Sequence, residues 1–232
     1  MKKRIKTVNN SMSVRLDDLL QFGAITLNQE KSYEAWDEGY NLVLTGTAGT
    51  GKTFNALYLA LEDILDKDSD YDRLIILRSM VPTRDMGFLP GTKAEKEEAF
   101  TTPYKNICGE LFGDKASYNK MVQARQIQFE STSFIRGTTF DNAIIVVDEM
   151  QNLNFHELDS VITRVGKSAK IIFSGDYKQS DFKYEDEKQG IVKFLQIVEQ
   201  LKNFEIINFG WEDIVRSDFV RDYIMTKEML GY

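Results

Sequence analysis

Several residue types are scarce in this chain, and each scarcity excludes a class of protein. The single cysteine, Cys108, rules out an internal disulfide and any metal site built from several cysteines. The single histidine, His156, has no metal-ligand partners at a suitable spacing, so it does not indicate a zinc site. No apolar run is long enough to span a membrane, and the basic start of the chain lacks the apolar segment of a signal peptide. We therefore expect a cytoplasmic protein with no membrane partner.

Length and charge narrow the remaining possibilities. The chain has 232 residues, of which 42% are hydrophobic and 28% charged, an ordinary balance for a globular domain with a buried core. The net charge of −7 argues against a protein that binds nucleic acid over its whole surface. A local basic patch, or a ring lined by one basic face, remains compatible with that charge. About residues 1–20 form a basic segment, which is either a frayed end or a phosphate contact.

Predicted strands alternate with predicted helices, which is typical of a parallel sheet covered by helices on both faces. All three prolines lie within residues 80–104, which indicates a structured loop, and residues 104–133 are predicted to be helical. We treat residues 1–232 as one domain, with a loop and helical insertion between core strands at about residues 80–135. The predicted strands are 41–45, 74–77, 144–147, 170–174 and 205–208, and the predicted helices are 29–38, 53–65, 155–164 and 190–201.

A glycine-rich stretch at residues 46–53 fits the phosphate-loop pattern G-x-x-x-x-G-K-[ST]. It follows a predicted strand and opens a predicted helix, which is the context this pattern requires. Glycines let backbone N–H groups point at phosphates, and the helix start adds positive charge. Lys52 is expected to reach the β- and γ-phosphates, and the Thr53 hydroxyl is expected to ligate Mg²⁺. The predicted nucleotide-binding residues are Gly46, Thr47, Ala48, Gly49, Thr50, Gly51, Lys52 and Thr53.

Two carboxylates, Asp148 and Glu149, directly follow the predicted strand at residues 144–147. This is the carboxyl edge of the sheet, where open α/β sheets place their ligands. Asp148 is expected to hold Mg²⁺, mainly through bound water, and Glu149 is expected to orient and deprotonate an attacking water. Alone, the pair also fits a helix start favoured by negative charge. Together with the phosphate loop, it indicates hydrolysis of a nucleoside triphosphate.

A third block separates classes of NTPase. D-E-M-Q at residues 148–151 is followed, after the next predicted strand, by G-D-Y-K-Q at residues 175–179. This pair resembles motifs II and III of superfamily-one helicases, which implies that Gln179 contacts the γ-phosphate and links hydrolysis to nucleic-acid binding. Upstream, residues 25–29 look like the segment of that family that reads adenine. Gln29 offers an adenine edge both a donor and an acceptor, and it equally fits a helix start capped by Asn28.

Further blocks extend the resemblance over nearly the whole chain. The run R-S-M-V-P-T-R-D-M-G-F-L-P-G-T at residues 78–92 resembles the PhoH family of phosphate-starvation-inducible ATPases. So do residues 95–96, 103–104, 133–140, 163–166 and 213–217, in the same order. The resemblance implies an α/β fold with a single RecA-like P-loop NTPase domain, a mostly parallel sheet with helices on both faces, and ATP and Mg²⁺ as cofactors.

Two departures from the bacterial pattern look like the branch of this family carried by tailed bacteriophages. Ser217 stands after Arg216 where the bacterial pattern usually has histidine, and Met150 stands within D-E-M-Q. A phage-encoded protein would act in the host cytoplasm. Some relatives carry a PIN-type nuclease domain and act on RNA. The length here leaves no room for that domain, so we do not expect nuclease activity.

A single RecA-like domain supplies only half of a helicase-type site, because superfamily-one helicases place the nucleotide between two such domains. A missing arginine costs on the order of 10³–10⁵ in rate in comparable NTPases. We therefore expect a homo-oligomer, a ring such as a hexamer, in which a neighbour completes each site. Arg216 is the first candidate for the supplied arginine. It equally fits a surface arginine paired with Asp213 or Asp218.

RNA or single-stranded DNA is the expected further partner. Four arginines flank predicted strands, where they either contact a nucleic-acid backbone, or order the loops or contact the nucleotide. Two phenylalanines either stack on bases or fill the core. These residues are Arg78, Arg84, Arg136, Arg164, Phe88 and Phe140.

Three functions are compatible with these patterns. The first is an Mg²⁺-dependent ATPase coupled to RNA or single-stranded DNA binding or unwinding. The second is a nucleotide-gated interaction or regulatory protein with slow hydrolysis and no helicase activity. The third is a P-loop nucleotide kinase, which leaves Glu149 and the block at residues 175–179 unexplained.

Overall fold

A computed structural model describes residues 14–79, 93–132, 135, 137–176 and 185–231. Its strands are β1 (Asn41–Gly46), β2 (Arg73–Arg78), β3 (Ile127–Ser131), β4 (Ala143–Val147), β5 (Lys170–Gly175) and β6 (Phe204–Phe209). Its α-helices are α1 (Leu27–Asp37), α2 (Lys52–Leu65), α3 (Lys93–Phe112), α4 (Ser117–Gln123), α5 (Phe155–Ile162), α6 (Glu185–Val198) and α7 (Asp218–Met229). Within these ranges, no helix is both long and apolar enough to cross a membrane.

All six strands pair in parallel in one sheet of order β3-β2-β4-β5-β1-β6. The predicted fold class is therefore confirmed. β4 is an unbroken apolar run whose residues are all buried, as expected for a central strand covered on both faces. β5 lies between β1 and β4, so the carboxyl ends of these three strands meet at one edge.

Hydrophobic cores cover both faces of the sheet. Side chains alternate between faces along a strand, so Leu42 and Leu44 of β1 join one core while Val43 joins the other. The first core includes most of the apolar residues of α2, and the second includes apolar residues of α5 and α6. The phosphate loop and the acidic strand end therefore stand on a sheet that is packed on both sides.

Two local predictions are wrong. Residues 104–133 are predicted to be helical, but residues 127–131 form β3, which pairs in parallel with β2 at the sheet edge. Only Ile127 and Ser131 of this strand are buried, so it lacks the continuous apolar run that marks the central strands. The predicted loop also ends earlier than expected, because α3 begins at Lys93 and contains Pro103. The Thr102 hydroxyl donates to the Glu98 carbonyl at 2.8 Å, within the helix turn that precedes this proline.

The sequence patterns also do not predict α7. None of its residues is buried, and Phe219 is 81% exposed, so it lacks the apolar stripe by which a packed helix is recognised. Of the basic segment predicted at about residues 1–20, residues 1–13 lie outside the described residues, as do Pro82 and Pro90.

Candidate nucleotide-binding site

The phosphate loop joins β1 to α2, and β6 holds its start in place. Gly46 has φ 115°, and a Cβ at this position would overlap the carbonyl oxygen of Phe209. The next residue, Thr47, donates its backbone N–H to the same carbonyl at 3.0 Å. Gly51 caps α2 in the left-handed region at φ 84°. Glycine is therefore required at Gly46 both for its backbone conformation and for close approach to β6.

Lys52 lies inside the loop and is only 8% exposed. Its Nζ donates to the carbonyl oxygens of Gly46 at 2.8 Å and Thr47 at 2.7 Å. Burial lowers the pKa of Lys52, and nearby carboxylates, Asp176 foremost, act in the opposite direction. The side chain is thus a desolvated cation on the phosphate loop, facing a group of acidic residues.

Asp148 follows β4 and is held at both carboxylate oxygens. The Thr53 hydroxyl, in the first turn of α2, donates to its Oδ1 at 2.9 Å. The Tyr104 hydroxyl, from α3, donates to its Oδ2 at 2.9 Å. The backbone N–H of Asp148 donates to the carbonyl of Leu77 in β2 at 2.9 Å. The predicted pair Thr53 and Asp148 is therefore in direct contact.

Glu149 has a left-handed backbone at φ 53°, which is uncommon for a residue with a side chain. Its carboxylate accepts a hydrogen bond from Gln151 Nε2 and lies 4.0 Å from the Arg78 guanidinium. Burial raises the pKa of Glu149, and repulsion from Asp148 raises it further, while Arg78 and Gln151 lower it. These opposing contacts give a carboxylate a basicity above its ordinary value, which suits a general base.

Gln151 connects the ends of β4 and β5. While its Nε2 reaches Glu149, its Oε1 accepts from the backbone N–H of Asp176 at 3.0 Å. A Cβ at Gly175 would overlap the same Oε1, so glycine at the end of β5 makes room for this bridge. The G-D block that follows β5 is therefore tied to the acidic pair through Gln151.

The donor set at Thr53 and Asp148 suits Mg²⁺. Proteins bind Mg²⁺ through one or two carboxylates together with waters and substrate phosphates, rather than through a cage of side chains. A hydroxyl and a carboxylate oxygen at 2.9 Å from each other match that pattern. Within the described ranges, no cluster of three or more His, Cys, Asp or Glu side chains could hold a metal.

Comparison with known proteins assigns the family. Residues 21–227 match the family described as PhoH-like protein. The chain belongs to the PhoH family. It is 33% identical over 175 residues to "Protein PhoH" of Escherichia coli (strain K12), covering 75% of this chain and 49% of that one. It is 29% identical over 214 residues to a "PhoH-like protein" of Mycobacterium leprae (strain TN), covering 90% of this chain and 60% of that one.

This PhoH-family chain spans about half the length of the curated relatives it matches. Among solved structures, it resembles the large terminase of a thermophilic bacteriophage, determined in complex with ADP. The TM-score is 0.51 at 13% sequence identity, covering 89% of this chain and 50% of that one. At this identity the similarity concerns the fold alone, which is that of a RecA-like P-loop NTPase.

Gln29 contacts the phosphate loop of this PhoH-family chain. It is 5% exposed, and its Nε2 donates to the Thr50 carbonyl at 3.3 Å while its Oε1 accepts from Ile25 N–H at 2.9 Å. Both ends of its amide are thus engaged within the protein. The alternative of capping by Asn28 is wrong, because the N-cap of α1 is Thr26, whose hydroxyl accepts from the Gln29 N–H.

Arg216 lies beside the phosphate loop of its own chain. The neighbouring Val215 N–H donates to the Gly49 carbonyl at 3.1 Å, and Arg216 Cγ would lie 3.1 Å from a Cβ at Gly49. Pairing with Asp213 is wrong, because that carboxylate is fully buried and its Oδ2 accepts from Asn28 Nδ2 at 2.7 Å. The position favours a contact with nucleotide bound in the same chain, and supply of an arginine by a neighbour stays a prediction.

The sequence patterns miss that α7 also contacts the phosphate loop. Ile224 Cδ1 would lie 3.4 Å from a Cβ at Gly49, and the Thr47 hydroxyl is 3.5 Å from Glu228 Oε2. Trp211 Nε1 donates to the same Glu228 oxygen at 2.7 Å. A weakly buried helix therefore places a carboxylate next to the loop that would bind phosphates.

Three of the residues suggested for nucleic-acid contact lie within the described ranges. Arg78 faces Glu149, and Arg164 is half-buried. Phe140 is 3% exposed and packs in a hydrophobic core, which is the second of the two alternatives given for it. The predicted γ-phosphate sensor and three further candidates lie outside the described residues: Gln179, Arg84, Phe88 and Arg136.

Proposed function

We propose that this member of the PhoH family is an Mg²⁺-dependent ATPase. The observation that carries the proposal is the 2.9 Å contact between Thr53 Oγ1 and Asp148 Oδ1. It joins the helix start that follows the phosphate loop to the acidic end of β4. Phosphate-binding N–H groups, a cation, metal-binding oxygens and a general base are thereby gathered at one edge of the sheet.

Each residue has a role in this proposal. The N–H groups of residues 48–52 and the Lys52 ammonium bind the phosphates. Thr53 and Asp148 would hold Mg²⁺, which when bound neutralises charge on the β- and γ-phosphates. Glu149 takes a proton from the attacking water, and Gln179 contacts the γ-phosphate, as the helicase resemblance suggests.

Phosphate release tests the hydrolytic role of Glu149. We expect turnover that requires Mg²⁺ and that falls by about 10²–10⁴-fold in Glu149→Gln, the usual worth of a general base. The same variant should bind ATP with near wild-type affinity, whereas Lys52→Ala should lose binding. Asp222→Asn, on the exposed part of α7, serves as a control of unchanged activity. Wild-type turnover in Glu149→Gln would contradict the proposal.

Coupling to RNA or single-stranded DNA is part of the same proposal. Its support is the similarity of residues 148–151 and 175–179 to helicase motifs, together with the Gln151 bridge between the two strand ends. Labelled single-stranded RNA and DNA should bind in the presence of an ATP analogue, and either should accelerate hydrolysis. If neither binds nor stimulates turnover, the helicase-like function is wrong.

A nucleotide-gated interaction protein is the second candidate, and α7 favours it. This helix contacts the phosphate loop yet leaves Phe219 81% and Tyr223 63% exposed, so nucleotide that moves it would also move an apolar surface. In that case turnover is slow and indifferent to nucleic acid, and limited proteolysis within α7 changes when ATP is added. The geometry argues against a nucleotide kinase, because phosphoryl transfer to a small acceptor does not require a base that activates water, such as Glu149 with its partner Gln151.

We also propose that the chain works as a homo-oligomer, a ring such as a hexamer, with sites completed between neighbours. Its support is the single RecA-like domain, because helicases that resemble this chain place the nucleotide between two such domains. Sedimentation velocity with and without ATP and Mg²⁺ measures this directly. A monomer under all these conditions, with full turnover, would contradict it.

A further inference from the structure

We infer that Tyr104 is a positioning residue for the metal-holding carboxylate, acting through a hydrogen bond to Asp148 Oδ2. This inference rests on the proposed Mg²⁺-dependent function. It assigns a role to a side chain of α3, which lies outside the phosphate loop and outside the acidic strand end. The role concerns the orientation of Asp148 and not contact with nucleotide.

The Tyr104 side chain is held by packing, and its hydroxyl contacts both Asp148 and Arg78. It is fully buried, and its ring packs on Phe129 of β3 with centroids 5.9 Å apart. Its hydroxyl donates to Asp148 Oδ2 at 2.9 Å.

The two carboxylate oxygens of Asp148 have different hydrogen-bond donors. Oδ1 accepts from the Thr53 hydroxyl on the side of the phosphate loop, and Oδ2 accepts from Tyr104 on the side of α3. A carboxylate can turn about its Cβ–Cγ bond, and the Tyr104 donor holds one orientation. Oδ1 is thereby kept beside the Thr53 hydroxyl, and these two oxygens form the donor set that suits Mg²⁺. Partners of this kind typically contribute about 10–100-fold to metal affinity or activity.

The same helix also reaches the other carboxylate. Phe100, one turn before Tyr104 in α3, has its ring 5.8 Å from the guanidinium carbon of Arg78. Arg78 in turn lies 4.0 Å from Glu149 and is a hydrogen-bond partner of the Tyr104 hydroxyl. α3 therefore supports the site at two points, and Tyr104 is the one that touches the metal-holding residue.

The test compares wild type with Tyr104→Phe, which keeps the ring and removes only the hydroxyl. Binding of a fluorescent, non-hydrolysable ATP analogue is titrated in EDTA and at increasing Mg²⁺. We expect Tyr104→Phe to need about tenfold more Mg²⁺ for half of the metal-dependent gain in affinity, the low end of the range for such partners. Affinity in EDTA should stay at the wild-type value, because the phosphate loop is unchanged.

Tyr58→Phe is the matched control. Tyr58 is another buried tyrosine whose hydroxyl reaches a carboxylate, Glu62 Oε1 at 3.4 Å, and it lies elsewhere on α2. It should leave the Mg²⁺ requirement unchanged. The inference is overturned if Tyr104→Phe needs no more Mg²⁺ than wild type, or if its affinity in EDTA falls by the same factor. If wild type itself gains no affinity from Mg²⁺, the proposed function fails instead.

A second measurement covers the case in which Tyr104→Phe does not fold. 3-Fluorotyrosine placed at Tyr104 retains the hydroxyl and reports its hydrogen bond through the fluorine resonance. Adding Mg²⁺ to the complex with the ATP analogue should shift this resonance, whereas the same label at Tyr58 should not respond. A Tyr104 resonance that ignores Mg²⁺ overturns the inference.

Discussion

Glu149 illustrates how much of the chemistry depends on single contacts. Its pKa is raised by burial and by Asp148, and lowered by Arg78 and Gln151. A general base acts only when deprotonated, so activity is lost as the pH falls through its pKa. The acid side of the pH–rate profile therefore reports the balance between these neighbours.

Arg78→Gln should move that acid limb to higher pH. Removing the guanidinium takes away an attraction for the charged form, so the pKa of Glu149 rises further and more of the base is protonated at a given pH. We expect a shift of up to about 0.7 pH unit, because a partly exposed charge pair is worth up to about 1 kcal/mol. The measurement is kcat against pH.

Arg73→Gln is the control for this shift, because Arg73 stands at the opposite end of β2 and pairs with Asp72 at 3.4 Å. Its acid limb should coincide with that of wild type. An unmoved limb in Arg78→Gln, or a limb moved to lower pH, would show that Arg78 does not govern the charge of Glu149.

Gly46 and Gly49 should differ in their tolerance of alanine, although both have positive φ. The left-handed conformation costs an alanine about 1–2 kcal/mol at either position. At Gly46 the added methyl also overlaps the backbone carbonyl of Phe209, whereas at Gly49 it meets the flexible Arg216 side chain. Urea unfolding should show the larger loss for Gly46→Ala, at about 3 kcal/mol or more. Equal losses of unfolding free energy in the two variants would show that β6 moves to accommodate the methyl group at residue 46.

At the scale of elements, α7 is the least expected part of the site. It places Glu228 within 3.5 Å of the Thr47 hydroxyl, and this carboxylate is among those that act on Lys52. A negative charge beside a phosphate loop opposes a negatively charged ligand. The helix is held by few buried contacts, so nucleotide could displace it at small cost.

Glu228→Gln should strengthen ATP binding severalfold at low salt. Removing the charge abolishes repulsion of the phosphates, while the amide keeps the size and polarity of the side chain. The gain should shrink as salt is raised, because exposed charges are screened within about 8–10 Å near physiological ionic strength. Nucleotide titrations at two salt concentrations measure it, with Asp222→Asn as the control from the outer part of α7. Weaker binding in Glu228→Gln would show that the carboxylate stabilises the nucleotide-bound loop instead.

At the scale of the whole molecule, the proposed ring raises the question of which chain supplies an arginine. Arg216 lies against Gly49 of its own loop. Mixing Arg216→Ala chains with Lys52→Ala chains should therefore restore no ATPase activity, since each chain needs both residues in its own site. Size analysis must show that the mixed species fold and assemble. Recovered activity would instead show that Arg216 acts across the interface.

Local pattern predicts some parts of this molecule well. The phosphate loop, the central strands and the acidic pair each occupy a few consecutive residues with fixed chemistry, so their placement needs no tertiary information. The contact of Thr53 with Asp148 follows as well, because parallel strands end at one edge.

Other parts depend on packing between distant segments. Tyr104 resembles any buried aromatic until α3 is placed against β4, and α7 has no apolar stripe. The amide of Gln29 fits an adenine edge equally well until Thr50 and Ile25 are found to engage it. Edge strand β3 lacks the continuous apolar run that identifies the central strands.

The position of β1 between β5 and β6 has a consequence for biosynthesis. The strand that carries the phosphate loop is made early, but its two hydrogen-bonding neighbours emerge from the ribosome much later. The carbonyl of Phe209, which accepts from the Thr47 N–H, belongs to the last residue of β6. A nascent chain therefore cannot form the loop while most of the sheet is being synthesised. Nucleotide binding to the assembled loop therefore depends on the release of β6 from the ribosome.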